Sequence, residues 1–579
     1  MCIETLQRQL SQQGGSLTDS SDAIPARTMP EWDPIGGQAP REIEIESGSL
    51  DFSGLEEADL SNICFPSAAV GIKPAASVDI GRPYWSTGLQ VDNCGLAMTA
   101  IPTEVQSMPS DLYSPDQTLS YSTEPVTPVD NRDPAMTDHM RADLDQVYFD
   151  RVHPVLPIIY HRRYFSWADK EHPGATRACL RSAMRAMAAA MSAPGRRFCD
   201  QLYTETCDLL EAHKVGSKAD ISVEYVQAWL LLAHYELLRV GDYQAMLTAG
   251  RCLRLVLMAR LSDIDSPGRD GVDSAQASPV LLNRENFGGD TFSIVEEQRR
   301  VFWLSFCLDR SLCLRNEYPL TLQEDMICVR LPAPEANFQN NQSIRTTFLP
   351  EAMSAPQNTP PLSSFAECIL AVTLHAHCLA LQRSPLSPDP ITNPADTNPA
   401  FGPQRKRLAL AVDTRLRVLG TSHGSGPLDS DPMLLFAHML AHSAVIRLGH
   451  AAQRSPSLAG WRSVDNQGTI ASNRNQALNA AAEMVHLVRQ IPSFSAVRAH
   501  PFLPDPVGCA VGYLTNPTNT TAAARGREMA VTTNEGGIQD LLRLLRAMQD
   551  KNGLASAYLD GTWRDSGREA WGRDWQNTV

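Results

Sequence analysis

From Asp143 onward, the apolar residues of this 579-residue chain recur at the spacing of helices. Three segments carry one apolar stripe each, namely Val223–Arg239, Gln244–Leu261 and Glu296–Leu314. The stripes consist of Val226, Leu230, Ala233 and Leu237 in the first, Leu247, Gly250, Leu253, Leu257 and Leu261 in the second, and Phe302, Phe306, Asp309 and Cys313 in the third. Further helical patterns cover Ser364–Gln382, Arg405–Leu419, Met433–Leu448, Asn475–Gln490 and Ile538–Met548. Strand-like alternation is scarce, so the sequence predicts an all-α body.

Polar or proline-rich segments interrupt the helical patterns and predict loops. These segments are Asp263–Asp290, Ser354–Pro361, Ser384–Pro403 and Ser455–Asn473. Residues 12–140 are rich in Ser, Pro, Thr, Gly and Asp, and such a segment buries too little apolar surface to offset its ordering entropy. We therefore expect a large helical domain preceded by a disordered acidic N-terminal region.

The net charge of −15 lies entirely in the first quarter of the chain. Residues 1–140 contain 6 Lys and Arg against 21 Asp and Glu, which leaves the rest neutral. Because phosphate repels acidic segments and the body lacks a basic excess, composition argues against direct binding of nucleic acid. Within this region, Glu42–Phe65 alternates acidic and apolar residues, a pattern typical of disordered activation segments. A plain solvated linker explains it equally well.

The thirteen cysteines occur singly and no C-x2-C pair is present, so local spacing predicts no zinc site and no metal ligand. We interpret them as reduced core residues of an intracellular protein. The N-terminus lacks the features of a signal peptide, and no apolar run approaches the ~18 residues of a membrane span. The sequence thus predicts no cofactor in this chain and no contact with a membrane.

Two local motifs have a functional and a structural interpretation. Residues Gly420–Gly424 fit G-x-S-x-G, but the nucleophile elbow follows a strand, whereas a predicted helix precedes this motif. A helix C-cap with a flexible loop is the better explanation, and we predict no enzymatic activity and no catalytic residue. The basic run Gln404–Arg407 is either a localisation signal or the solvated start of a helix.

Two anchors in the sequence resemble the fungal-specific transcription factor domain, the regulatory region of six-cysteine zinc-cluster regulators. The first anchor is Val147–Phe165, and its matching positions include Tyr148, Phe149, His153, Pro154 and Pro157, with Ile158, Arg162, Arg163 and Phe165. The second is Glu296–Phe338, and its matching positions are Arg299, Arg300, Phe302, Trp303, Leu308, Asp309, Arg310, Pro319, Leu331, Pro332, Glu335 and Phe338. We expect these residues to be structural.

Within the second anchor, two charge pairings follow from the residues themselves. Glu296 or Glu297 is expected to pair with Arg300 along one helix face. Asp309, placed on an apolar face, needs a partner, for which an arginine of the same motif is the natural choice. The prolines of the first anchor predict the end of a helix and a turn above packed aromatic rings.

The resemblance implies a nuclear regulator of transcription, and control of a secondary-metabolite pathway is common in the family. It divides the chain into residues 1–11, similar to a short coiled-coil remnant; 12–140, acidic and disordered; 141–345, the core match; and 346–579, its helical continuation. Zinc is expected only if a six-cysteine cluster lies upstream. Direct DNA contact is assigned to no residue, so DNA binding is expected to be indirect or to need such a cluster.

The resemblance also implies the transcription machinery as a partner, and homo- or heterodimers with zinc-cluster factors. The alternative function is a helical scaffold or inhibitor that pairs with a full-length zinc-cluster factor and does not bind DNA itself.

Overall fold

In the computed structural model of the protein, the described residues lie between positions 136 and 561. The described residues are 136–168, 170, 174–217, 220–266, 291–316, 318–354, 362–383, 401–422, 431–453, 464–491, 494–516 and 529–561. The predicted coiled-coil remnant and the acidic segment Glu42–Phe65 lie outside these residues.

The regular structure of the described residues is helical, which confirms the all-α prediction. The helices are α1 (Asp138–Val147), α2 (His161–Ala168), α3 (Ala175–Ala190), α4 (Cys199–Ala212), α5 (Val223–Arg239), α6 (Asp242–Met258), α7 (Thr291–Asn316), α8 (Glu335–Gln339), α9 (Leu349–Ser354), α10 (Ser364–Arg383), α11 (Phe401–Ser422), α12 (Pro432–Gln453), α13 (Val464–Arg489), α14 (Pro504–Thr515), α15 (Met529–Met548) and α16 (Gly553–Asp560). Strand-type pairing in this part of the chain is an isolated antiparallel bridge between Arg330 and Phe348.

Helix α5 has the predicted limits and lies at the centre of the core. It begins where the Ser222 side chain accepts a hydrogen bond from the Tyr225 amide, and Gly241, at φ +143°, follows its end. All side chains from Val223 to Leu238 are buried, not only the predicted stripe. A helix surrounded in this way must satisfy its polar side chains internally.

The stripe predicted for α6 is only partly correct, since Leu253 and Leu261 are buried as predicted. Leu247 is 65% exposed, and the buried positions of this helix include Ala245, Ala249, Cys252 and Val256. These small side chains allow α6 to approach α5 closely, so packing rather than side-chain size selects the buried face. The helix also ends at Met258, before the left-handed residue Arg260, and not at Leu261.

Three predicted irregular segments are partly helical. Residues 138–140 belong to α1 because the Thr137 side chain accepts from the Met140 amide and caps the helix. Residues 401–403 begin α11, where Pro403 is tolerated because first-turn amides have no intrahelical acceptor. Residues 464–473 begin α13, a polar start of a helix whose buried positions include Ala477.

Helices α10 and α12 pack against each other, and α12 also contacts α13 and α14. By length and apolarity alone both could cross a membrane, but 78% of each apolar window is buried inside the body. Core helices of soluble proteins have the same property. One continuous hydrophobic core extends from Leu144 to Ala555, so the helices on both sides of α10 share it.

Candidate functional site

The two sequence anchors meet around the N-terminal half of α7. In the first anchor, a π-helical turn at Tyr148–Val152 ends in a turn in which the His153 amide donates to the Tyr148 carbonyl at 2.9 Å. This agrees with the predicted turn. The chain then continues without regular secondary structure to Tyr160 and enters α2, which brings Arg163 beside α7.

Glu297 of α7 is the first junction between the anchors. It accepts hydrogen bonds from the Tyr160 amide at 3.0 Å and from Gln227 Nε2 at 3.1 Å, and it forms an ion pair with Arg163. Arg163 also lies 2.6 Å from Glu224 of α5. One guanidinium therefore joins carboxylates from two core helices, both of them buried.

The electrostatics of this junction favour the charged forms. Burial alone raises the pKa of Glu224, but Arg163 and then Arg177 outweigh it, so the pKa is lowered. Burial likewise disfavours charged Arg163, but Glu297 and Glu224 raise its pKa above the ordinary value. The cluster is thus an ionised network whose members stabilise one another.

Glu296 and Arg300 form the second junction and confirm the predicted pair along the helix. Arg300 Nε lies 3.1 Å from Glu296 Oε1, and both side chains are almost fully buried. The remaining nitrogens of Arg300 donate to the carbonyls of Pro157 at 3.1 Å and Ala333 at 2.8 Å. The Ala333 amide in turn donates to Glu296 at 2.8 Å, which fixes the segment after Pro332 against α7.

Glu335 extends this junction toward the surface. It is paired with Arg300, and His153 Nε2 lies 2.8 Å from its other oxygen. Burial opposes its charge, but Arg300 and His153 lower the pKa of Glu335 to about 2. The Arg300 guanidinium also stacks over the Phe338 ring, 4.1 Å from its centroid. His153 therefore has a partner from the second anchor, consistent with the structural role predicted for it.

Arg299 lies 3.5 Å from Glu296, the partner of Arg300, but its main partner is Asp265. It forms a two-bond pair with Asp265, with distances of 2.9 and 2.5 Å, and Asp265 also accepts from the Arg330 amide at 2.9 Å. Trp303 Nε1 donates to the Arg330 carbonyl at 2.7 Å. These contacts hold the strand-like segment before Leu331 against α7.

Asp309 does not pair mainly with an arginine, which corrects the sequence prediction. Its carboxylate accepts from the amides of Thr321 at 3.1 Å and Leu322 at 2.9 Å, whereas Arg310 lies 4.0 Å away. Arg310 instead contacts Glu324 at 3.0 Å. The physical reason is that Asp309 faces a returning loop whose amides have no other acceptor, so backbone donors satisfy it.

The other predicted signature residues are divided between the core and the surface. The buried members are Tyr148, Pro157, Phe302, Trp303, Leu331 and Pro332. Phe149 is half-buried and packs edge-on against Tyr148, whereas Pro154 and Pro319 are exposed and shape turns. The structure therefore brings the two anchors together.

Ion pairs at two places between helices were missed from the sequence, one buried and one partly buried. Glu367 of α10 and Arg415 of α11 form a two-bond pair, and both are buried. Arg315 of α7 lies 2.8 Å from Asp242 and 2.5 Å from Asp505, which joins α7 to α6 and α14. The available signal was a single charge inside an apolar helical pattern, which requires a buried partner somewhere.

The remaining motifs have structural explanations in the described residues. Gly420–Ser422 form the end of α11, so a helix, not a strand, leads into the G-x-S-x-G match. Lys406 and Arg407 are exposed in the first turns of α11, while Arg405 donates to Asn473 at 3.1 Å. The basic run is thus a helix start, and whether it also directs localisation remains a prediction.

The cysteines in the described part of the chain are free thiols, and most are buried. Burial raises the pKa of Cys252 and Cys307 to about 12, so both are neutral small hydrophobes at pH 7. No group of three or more His, Cys, Asp or Glu side chains among the described residues is arranged to hold a metal ion.

Comparison with known proteins agrees with this arrangement. Residues 146–397 match the family described as fungal specific transcription factor domain. The asperfuranone cluster transcription factor of Emericella nidulans is 42% identical over 74% of this chain, which spans 65% of that relative, slightly under two thirds. A transcription factor of Aspergillus terreus is 39% identical over 89% of this chain and 85% of its own length. The sorbicillinoid biosynthetic cluster transcription factor 1 of Penicillium rubens is 34% identical over 79% of this chain and 76% of its own length. No solved structure matches.

The chain therefore belongs to the family of proteins with a fungal-specific transcription factor domain. It is a regulator of transcription.

Replacing Asp309 with asparagine is expected to lower the free energy of unfolding by about 1–3 kcal/mol, because a buried amide then faces the Thr321 and Leu322 donors in place of a carboxylate. Urea unfolding followed by circular dichroism measures the change. Asp325→Asn, an exposed substitution in the same loop, is the control. If both variants are equally stable, the hydrogen bonds from the Thr321 and Leu322 amides to Asp309 do not stabilise the protein.

Proposed function

We propose that this chain is a nuclear, pathway-specific regulator of a secondary-metabolite gene cluster. The observation that carries the proposal is the extent of similarity to named cluster regulators, which reaches 42% identity over 452 residues for the asperfuranone factor. The sorbicillinoid factor, a regulator of a different pathway, is similar over almost the same share of the chain. The kind of control is thus shared among relatives whose pathways differ.

The body acts without catalysis, as a scaffold that holds its protein contacts in a fixed arrangement. The support is chemical: the charged residues of the anchors are used on one another and on backbone groups. Arg300, for example, has two carboxylates and two carbonyls as partners. A side chain engaged in this way has no free donor for a substrate.

For the mode of DNA contact, we propose that this chain acts on DNA through a zinc-cluster partner and through the transcription machinery. The 579 residues contain no C-x2-C pair, and residues 1–140 are strongly acidic. Both features favour indirect binding. The same observations support the second candidate, a scaffold or inhibitor that pairs with a zinc-cluster factor and does not activate by itself.

Deleting the gene in its host is expected to lower the transcripts of one co-located set of biosynthetic genes at least tenfold, with little effect elsewhere. RNA sequencing measures this, and reintroduction of the intact gene is the control. Unchanged transcripts in every biosynthetic cluster would contradict the proposed pathway-specific role.

Fusion of residues 1–140 to a heterologous DNA-binding module separates the two candidates. Activation of a reporter favours the activator, because the acidic segment then works without the body. The matched control carries Leu50, Phe52 and Leu55 replaced by serine, which keeps the charge and removes the apolar residues. A silent wild-type fusion would favour the scaffold.

A further inference from the structure

Helix α6 carries a second stripe of residues, on the side that faces away from the core. Its members are Tyr243, Leu247, Gly250, Arg254 and Met258, and all of them are exposed. They follow one another in steps of four, three, four and four residues, so they lie on one face of the helix. The opposite side of α6 packs on α5 and α7. At 1.5 Å per residue, the outer stripe is about 22 Å long.

Large apolar side chains make up most of this outer face. Tyr243 is 81% exposed and Leu247 65%, and Met258 lies exposed at the far end of the helix. A single exposed apolar residue is ordinary on a protein surface. Three of them along one helix face are different, because together they expose an apolar strip, and such a strip marks an interaction site.

Gly250 lies in the middle of the outer face, where the fold itself does not require a glycine. A Cβ atom at this position would meet no atom within 4 Å, and the backbone is helical. Glycine inside a helix is less favourable than alanine, so this residue weakens α6 without a packing gain among the described residues. A gain arises where the backbone of a partner approaches the helix closely.

The charged side chains of the outer face are cationic. Arg251 and Arg254 are exposed, and neither forms an ion pair with another described residue, although Arg251 stacks on the Trp229 ring at 4.7 Å. Asp242, at the start of the helix, is paired with Arg315 at 2.8 Å. Two guanidinium groups are therefore positioned to pair with the carboxylates of a partner.

We propose that the outer face of α6 binds an acidic amphipathic helix of a partner protein. The apolar side of that helix lies against Tyr243, Leu247 and Met258, and its carboxylates pair with Arg251 and Arg254. The spacing of the stripe favours a helix as the partner, because side chains three and four apart on one helix interlock with those of another.

Charge and apolarity together exclude two other occupants. A second copy of this face would bring like charges together, which opposes association. The backbone of a nucleic acid would pair with the arginines but leave the apolar side chains without a partner. The inference goes beyond the proposed function and does not depend on it.

Fluorescence anisotropy with the purified full-length chain at pH 7.5 tests the binding. The probe stands in for the partner and is a labelled peptide of about 16 residues, which as a helix matches the length of the face. It has leucines at alternating steps of four and three residues, a glutamate beside each leucine, and no basic residue. One control peptide has the same composition in scrambled order, and a second has lysine in place of each glutamate. We expect saturable binding of the probe that weakens with added salt, and at least tenfold weaker binding of both controls.

Leu247→Glu and Arg254→Glu are each expected to weaken binding of the probe at least tenfold, because the first introduces a carboxylate into the apolar strip and the second reverses a charge. Both residues are exposed, so the variants are expected to melt at nearly the wild-type temperature. The matched controls are Met326→Glu and Arg407→Glu, which make the same changes at exposed positions elsewhere. Both controls are expected to bind the probe like the wild type.

Gly250→Gln separates binding from folding. Glutamine is a better helix former than glycine, so we expect this variant to melt at a higher temperature than the wild type. Its side chain also holds a partner away from the helix, so we expect at least tenfold weaker binding of the probe. Loss of stability would instead show that the fold requires this glycine, and wild-type binding would show that no backbone approaches it.

Four further results would overturn the proposal. They are the absence of saturable binding, equal binding of the control peptides, displacement of the probe by a DNA duplex, and a dimer in analytical ultracentrifugation that Leu247→Glu dissociates. The last two would assign the face to a nucleic acid or to a second copy of this chain. The transcript measurements are independent of all of them, so failure of this site and failure of the proposed function are distinguishable.

Discussion

Replacing Arg163 with methionine is expected to lower the free energy of unfolding by about 3–5 kcal/mol, since removal of one partner leaves buried charge uncompensated. Here the loss affects two carboxylates, Glu224 and Glu297, whose side chains are 7% and 3% exposed. Methionine retains most of the apolar stem, so the effect reports the guanidinium. Because a domain is stable by only about 5–15 kcal/mol, the variant loses a large part of its stability. Urea unfolding followed by circular dichroism measures it.

The stability of this variant is also expected to depend on pH in a different way from that of the wild type. In the wild type, the lowered pKa of Glu224 gives a contribution that is complete above the unfolded pKa of about 4.3 and is lost as the pH falls through the folded pKa. Without Arg163, the largest favourable charge at Glu224 is removed, so the pKa of this carboxyl is expected to rise relative to the wild type. The deficit should therefore be larger at pH 7.5 than at pH 5.

The neighbouring Arg162 provides a matched control, because it lies on the same helix and is exposed. Arg162→Met is expected to change stability little at either pH. If Arg163→Met and Arg162→Met unfold at the same urea concentration, the junction at Glu297 does not hold the anchors together.

This pair of arginines illustrates how far the sequence could predict the site. The resemblance identified Arg162 and Arg163 as a basic pair, but only the helix that places Arg163 toward α7 shows which one is buried. By contrast, the pairing of Glu296 with Arg300 was predictable because residues four apart on a helix are neighbours. Contacts between neighbours on one helix could therefore be predicted from the sequence, whereas contacts between residues distant in the chain could not.

The helices show the same division. The limits of α5 were predicted correctly from its apolar stripe, and in the structure the Ser222 cap and Gly241 mark them locally. The buried face of α6 was predicted only in part, because its apolar residues outnumber the buried positions and contact with α5 decides among them. Leu247 has the right spacing for a core residue but lies on the outer side of the helix. Periodicity gives the existence of a helix more securely than its orientation.

The junctions also explain why charged residues occur within the apolar helices of a regulatory domain. Glu296, Glu297 and Glu335 have partners from separate segments, so a folded body requires these segments to assemble together. Glu296, for example, accepts from its own helix through Arg300 and from the Ala333 amide. Buried pairs of this kind favour one packing arrangement over alternatives. We therefore infer that they select a unique fold rather than increase its stability.

The buried pair of Glu367 and Arg415, which was not predicted from the sequence, allows this interpretation to be tested. Arg415→Met alone is expected to lower the free energy of unfolding by about 3–5 kcal/mol, because Glu367 is fully buried on α10. Arg417→Met, on the same helix but with a 58%-exposed side chain, is expected to change it little. The measurement is again urea unfolding.

The double variant Glu367→Leu with Arg415→Met is expected to recover most of that loss, since apolar side chains of similar volume can replace a buried ion pair. If the pair serves specificity, the recovered stability should come with a less unique packing of α11 against α10. Hydrogen exchange of the α11 amides measures this, and faster exchange than in the wild type is the expected result. Wild-type protection in the double variant, at wild-type stability, would show that α11 needs only its apolar contacts, such as those of Leu408 and Val412. The charges would then be dispensable for both stability and specificity.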